Sequence, residues 1–218
     1  MVLKDSSFIG GRAIGVHLDY VRNVTMSNTL TADIMPRNYG TKTDEDVADK
    51  EACVAICSYF TDGSPCKDLT ITNNIAAGCK FAGFIAPGYD CDEESSTKFK
   101  DNVSHSNNGV GALIYPDKHQ GKQHNKCYEL SHFTGYKTTL PCVATHYETE
   151  ELRAHHLTCI DSEKGISLQT AGESDKAVIK FADSHIYGET EALDCPDPKS
   201  CYCNDKMAFM LFGNNIEG

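Results

Sequence analysis

At 218 residues the chain is long enough for one domain with a sizeable core, and its eleven cysteines are too many for a typical cytosolic protein. A formal net charge of -11 and a pI near 5.2 argue against nucleic acid or an anionic membrane surface as partner, since either needs a basic stripe. There is no apolar run of about 20 residues to enter a membrane, and the first residues lack the apolar core of a signal peptide. The expectation is one domain over residues 1–218, a processed chain or a fragment of a larger secreted protein.

Taken in order, residues 7–9, 16–18 and 24–27 read as short strands, with Gly10, Gly11 and Gly15 at tight corners and Asn28 at a further corner. Asn23-Val-Thr25 and Asn102-Val-Ser104 are sequons, which makes Asn23 and Asn102 candidate glycosylation sites. Residues 36–49 are polar and read as an insertion looping out from a corner. An apolar strand over 52–56 carries Cys53, and Cys57, Cys66, Cys79 and Cys91 follow. Bridges among these five would tie the insertion to the body. The other disulfide candidates are Cys127, Cys142, Cys159, Cys195, Cys201 and Cys203; spacing does not give the pairing, and an odd count leaves one thiol over. A zinc site of Cys53, Cys57 and Cys66 would lack a matching ligand pair at finger spacing.

The chain is organised around residues 69–116, where a pattern appears twice. Sliding Leu69-Thr-Ile-Thr-Asn-Asn-Ile75 forward by about 28 positions lays Asn74 on Asn102, Ile75 on Val103 and Gly83 on Gly111. Each copy is a short alternating apolar segment, an Asn, a small-residue turn and a second apolar segment. This predicts an all-β fold, a right-handed parallel β-helix of roughly seven to nine rungs with inserted disulfide-bearing loops. Leu69, Ile71 and Phe99 should stack inside while Thr70, Thr72 and Lys98 face out. Asn at the bend suits the left-handed backbone of a corner, and its amide can bond the equivalent Asn of the next rung. A β-sandwich is the competing arrangement.

Further strands are expected over 157–160, 165–169, 177–181 and 184–187, with Asp161, Gly172, Asp183 and Gly188 at turns, and residues 209–216 resemble another Asn-cornered rung. Residues 116–127, with His119 and His124, and 193–205 read as exposed insertions. Asp90, Asp92, Glu93 and Glu94 could offer oxygen ligands to calcium, although their spacing is not that of an EF-hand and a solvated turn explains them.

The stretch Asn73-Asn-Ile-Ala-Ala-Gly-Cys79, the apolar segment to Pro87, Cys91, and then Asn102-Val-Ser-His-Ser-Asn-Asn-Gly-Val-Gly-Ala-Leu-Ile114 resemble the parallel β-helix segment of the fibrocystin and fibrocystin-like proteins. Hyaluronan-binding surface proteins with a G8 domain share that segment. The likeness is specific over residues 69–115. It implies a glycosylated cell-surface or secreted protein, in some members ciliary, whose β-helix is a rigid extracellular module.

The expected function is therefore non-enzymatic: protein contacts, adhesion or the building of a filament or coat, with other extracellular proteins, neighbouring domains of the same chain or a glycan as partners. No catalytic residue, metal ligand or cofactor is assigned. The alternative is a polysaccharide-processing enzyme or glycan-binding module of the hyaluronan type. Its candidates are Asp90, Asp92, Glu93, His105, Asp117, His119, His155 and His156. No pair of these acids has a spacing that fixes a shared face, and His105 fits a structural role, hydrogen-bonding the neighbouring rung.

Overall fold

The computed structural model describes residues 1–19, 21–36, 51–56, 67–86, 98–114, 127–145, 151–169, 178–188, 207–212 and 215–217. Its strands come in triplets. The first is β1 (Val2–Lys4), β2 (Ser7–Ile9) and β3 (Ile14–Leu18); the second β4 (Arg22–Ser27), β5 (Leu30–Ala32) and β6 (Ala52–Ile56); the third β7 (Lys67–Thr72), β8 (Ile75–Ala77) and β9 (Ala82–Ala86). The fourth is β10 (Lys98–Lys100), β11 (Asn102–His105) and β12 (Val110–Ile114); the fifth β13 (Cys127–Ser131), β14 (Phe133–Tyr136) and β15 (Val143–Thr145). The sixth is β16 (Glu151–His155), β17 (Thr158–Ile160) and β18 (Lys164–Gln169), and β19 (Val178–Ala182), β20 (His185–Tyr187), β21 (Met207–Phe212) and β22 (Asn215–Glu217) follow.

Strands pair in parallel with the strand three places along. The middle strands of the triplets form one seven-stranded sheet, β2 through β20, and the third strands another, β3 through β21. The first strands form two four-stranded sheets, β1-β4-β7-β10 and β13-β16-β19-β22, with a break between β10 and β13. Among the described residues there is no helix, so none is long and apolar enough to cross a membrane.

The register is the one that the repeat predicts. Ile71 pairs Phe99, Ile75 pairs Val103, and Phe84 pairs Ala112, which sets Gly83 beside Gly111. Alternation then decides what is inside: Leu69, Ile71 and Phe99 are buried, whereas Lys98 is exposed. Met26, Ile71 and Phe99 form one inner column. Phe84 meets Phe99 and Phe133 edge-on at centroid distances of 5.5 and 6.2 Å, filling the interior where the first sheet is interrupted.

Three of the third strands are buried on both faces. β6 (Ala-Cys-Val-Ala-Ile), β9 (Ala-Gly-Phe-Ile-Ala) and β12 (Val-Gly-Ala-Leu-Ile) are apolar throughout, as covered parallel strands are. Val54, Phe84 and Ala112 join the main core. Their neighbours Ala55, Ile85 and Leu113 join a second, smaller cluster.

Small residues let the second and third sheets converge. A Cβ at Gly83 would collide with Ser104 Oγ and lie 2.6 Å from the Gly111 carbonyl oxygen. Gly15, expected at a corner, belongs to β3 instead, and a Cβ there would run into the Thr31 side chain. Gly10, with φ of +78°, is a corner.

Two disulfides close the same junction. Cys53 of β6 bonds Cys79 just beyond β8, and Cys142 just before β15 bonds Cys159 of β17, with Cα separations of 5.6 and 5.8 Å. All four are buried. The first bond is thus internal to the sheets, and a zinc site using Cys53 is overturned because that sulfur is already bonded. Disulfides of this kind fit an oxidising compartment.

Candidate functional site

Left-handed residues flank the short middle strand in two columns, with Ala13, Asn23 and Asp68 as further left-handed positions outside them. The first column is Asp5, Asn28, Asn73, Asp101, His132, His156 and Asp183, with φ between 49° and 58°. The second holds Gly10, Asp33, Gly78, Ser106, Lys137 and Asp161. Asn, Asp and His are the side chains that tolerate this backbone best. The corner N–H groups continue the ladder to the following triplet, as in Asn73 N to Lys100 O (3.4 Å) and His132 N to His155 O (3.2 Å).

The asparagine next to the first corner points inward. Asn74 and Asn102 are wholly buried. Asn74 Oδ1 accepts from Thr29 N (3.1 Å), its Nδ2 donates to Met26 O (3.1 Å), and Asn102 Nδ2 donates to Ile71 O (2.9 Å). Asn102 Oδ1 receives both Asn74 N and Asn74 Nδ2 at 3.0 Å. The left-handed turn and the amide ladder, expected of one asparagine, are therefore divided between neighbours. The amide nitrogen of Asn102, a sequon residue, is thus hydrogen-bonded inside the fold. Asn23, in contrast, is exposed, with φ of +55°.

From Phe133 onward the corner changes character. At Phe133 and Leu157 the side chain at the ladder position is apolar, Ser184 Oγ again accepts from Leu157 N at 3.0 Å, and the outer face collects ionisable groups. His132 and His156 occupy successive corners with their rings stacked at 4.6 Å and 11°. His155, the last residue of β16, lies 2.8 Å from His156 through the two Nδ1 atoms, and its Nε2 is 3.1 Å from Glu129 Oε1. A ligand atom from each of the three histidines falls within 4.8 Å of the others. His132 and His156 are exposed and His155 is half-buried, so the group is open to solvent.

A second set of charges sits alongside. Glu151 Oε1 accepts from Arg153 Nε at 2.8 Å and from Lys180 Nζ at 2.9 Å. The hydrogen bonds from Arg153 and Lys180 hold its carboxyl below the ordinary range, against a smaller opposing effect of burial.

Several candidates from the sequence are located. His105 stacks on Tyr136 of the next triplet (4.7 Å, 5°) and bonds Ser106 Oγ through Nδ1 (3.1 Å). Partial burial, and then the nearby Lys137 charge, lower its pKa. It therefore contacts the neighbouring strand by ring stacking, whereas a hydrogen bond was expected. His155 and His156 are brought together with His132, which the sequence reading missed; the signal was a second His at the matching corner one repeat earlier. Asp90, Asp92, Glu93, Glu94, Asp117, His119, His124, Gly172, Cys57, Cys66, Cys91, Cys195, Cys201 and Cys203 lie outside the described residues, as does nearly all of the insertions 36–49, 116–127 and 193–205. Cys127 begins β13.

No protein-family model matches the chain, and neither a curated protein nor a solved structure matches it.

Proposed function

We propose that residues 1–218 form a single right-handed parallel β-helix that serves as a stiff, non-enzymatic extracellular module, docking end-to-end on neighbouring domains or other extracellular proteins. The strand-to-third-strand parallel pairing supports the solenoid, and the disulfides support the extracellular setting. The likeness of residues 69–115 to the fibrocystin-like β-helix segment supports the module.

The observation that carries the reading is an exposed strand edge. Among the described residues β1 and β2 are each paired on one side only. Met1, Val2 and Ile9 are 64 to 67% exposed there. Beside them a hollow of about 350 Å³ is lined by Phe8, Ile9, Gly10, Gly11 and Ile34 among others. An apolar strand edge with a hollow behind it receives another strand layer readily.

The test is sedimentation velocity of the full chain across a concentration series. Reversible association that disappears in Val2→Lys/Ile9→Lys, with circular dichroism unchanged, is the expected result. A chain that stays monomeric throughout, or association insensitive to both lysines, overturns the docking edge. Release of new reducing ends from hyaluronan would replace the non-enzymatic reading with polysaccharide processing.

A further inference from the structure

The outer face of β13 and β16 carries a feature that end-to-end docking does not use. We propose that His132, His155 and His156, with Glu129 behind His155, form a surface site for a late first-row divalent metal ion, Zn²⁺ or Cu²⁺. This proposal stands independently of the docking edge.

The argument starts from tautomers. An ionised Glu129 carboxylate only accepts hydrogen bonds, so the 3.1 Å contact places the hydrogen of a neutral His155 on Nε2. His155 Nδ1 then presents a lone pair, and it points at His156 Nδ1 across 2.8 Å. A carboxylate that fixes one ring nitrogen while the other faces a cation is the usual outer support of a ligating histidine. When an ion replaces the hydrogen between the two Nδ1 atoms, His156 takes its other tautomer, with hydrogen on Nε2.

Distances fit the same chemistry. Two imidazole nitrogens about 2.0–2.1 Å from one ion stand about 2.9 Å apart at a right angle and about 4.1 Å apart on opposite sides. The His155–His156 nitrogens are 2.8 Å apart, and the atoms of all three residues lie within 4.8 Å. Convergence of all three lone pairs requires the stacked rings of His132 and His156 to turn out of their parallel arrangement, which the exposure of both side chains permits. Imidazole ligands select zinc and copper over calcium or magnesium, which prefer oxygen.

The left-handed corner by itself explains why His is allowed at 132 and 156, as it explains Asn73 and Asp101 in the same column. It does not explain a third imidazole at the end of β16 with its Nδ1 turned toward the pair, or the carboxylate behind it. The site also has a structural consequence. It joins the fifth and sixth triplets where the second four-stranded sheet begins, so an ion bound there would brace that sheet.

The experiment is calorimetric titration of ZnCl₂ and of CuSO₄ into the full oxidised chain with any free thiols alkylated, which removes cysteine as a competing ligand. The expected result is saturable binding of one ion per chain, weakened at least about tenfold in His132→Asn/His156→Asn and about tenfold or more in Glu129→Gln. Asparagine keeps the corner backbone, and circular dichroism reports whether the variants fold. Nitrogen hyperfine splitting in the Cu²⁺ spectrum of the unmutated chain gives a readout free of any variant. No saturable binding, unaltered affinity in the double variant, or an all-oxygen Cu²⁺ signal overturns the site.

Discussion

Asn74 and Asn102 lie one above the other inside the same corner, 28 residues apart, and Asn102 Oδ1 accepts both the backbone N–H and the side-chain amide of Asn74 at 3.0 Å. One oxygen thus satisfies two buried donors, while its own amide nitrogen holds the Ile71 carbonyl at 2.9 Å. A parallel corner has no strand partner for these groups, and leaving them bare in an apolar interior is expensive.

Asn102→Ala removes that satisfaction without relieving the burial. Stability should fall by about 2–4 kcal/mol, read as a shift of the urea midpoint with little change in slope. A loss under about 0.5 kcal/mol would mean that water replaces the ladder. The same residue should be unglycosylated in protein from secreting cells, with any glycan found at Asn23; a natively folded chain with a glycan on Asn102 would contradict the buried amide.

Cys142 and Cys159 close a short loop, with a sequence separation of 17. The double change to Ser should lower stability by about 3 kcal/mol, with the usual model dependence of loop entropy. Differential scanning calorimetry of the oxidised double variant against the oxidised unmutated chain checks this, and an unchanged melting temperature would contradict it.

His105 gives a pH dependence with a definite sign. Its folded pKa lies below the ordinary 6.5. The unfolded chain therefore binds the proton more readily, and stability falls as pH drops from about 6.5 toward the folded value. His105→Phe keeps an aromatic ring over Tyr136 and removes the titration, so its stability profile should be flatter over that window. An unchanged slope would assign the effect to other groups.

Glu151 acts at lower pH. Its folded pKa is depressed from 4.5, so its contribution is present above that value and is lost as pH falls through the folded one. The partners are largely exposed, with Arg153 and Lys180 side chains at 41 and 47%. Glu151→Gln should therefore cost under about 1 kcal/mol and should cost less as salt is raised.

The repeat was legible because it is written in residues whose chemistry is unambiguous. An Asn closing a short apolar alternation, Asn74 and again Asn102, gave the 28-residue register, and that register gave the inward set Leu69, Ile71 and Phe99. The corner itself was half legible. Asn73 and Asp101 take the left-handed turn while the next residue makes the ladder, a division that spacing alone does not reveal. Cys53–Cys79 was one choice among many because the two meet across a corner from different sheets. The histidine group was least legible: His132 and His155 meet only through the register of the fifth and sixth triplets, where the spacing between repeats has changed from that of the third and fourth.

The pairing of each strand with those three places before and after has a consequence for how the molecule comes apart. Contacts extend along the stack and hardly across it, so stability accumulates by nearest neighbours and an opening can advance from either end like a fraying rope. Among the described residues the crosslinks at 53–79 and 142–159 are two knots in that rope. Peeling from β1 is halted at the first and peeling from β22 at the second, and the segment between them exchanges its amide hydrogens last.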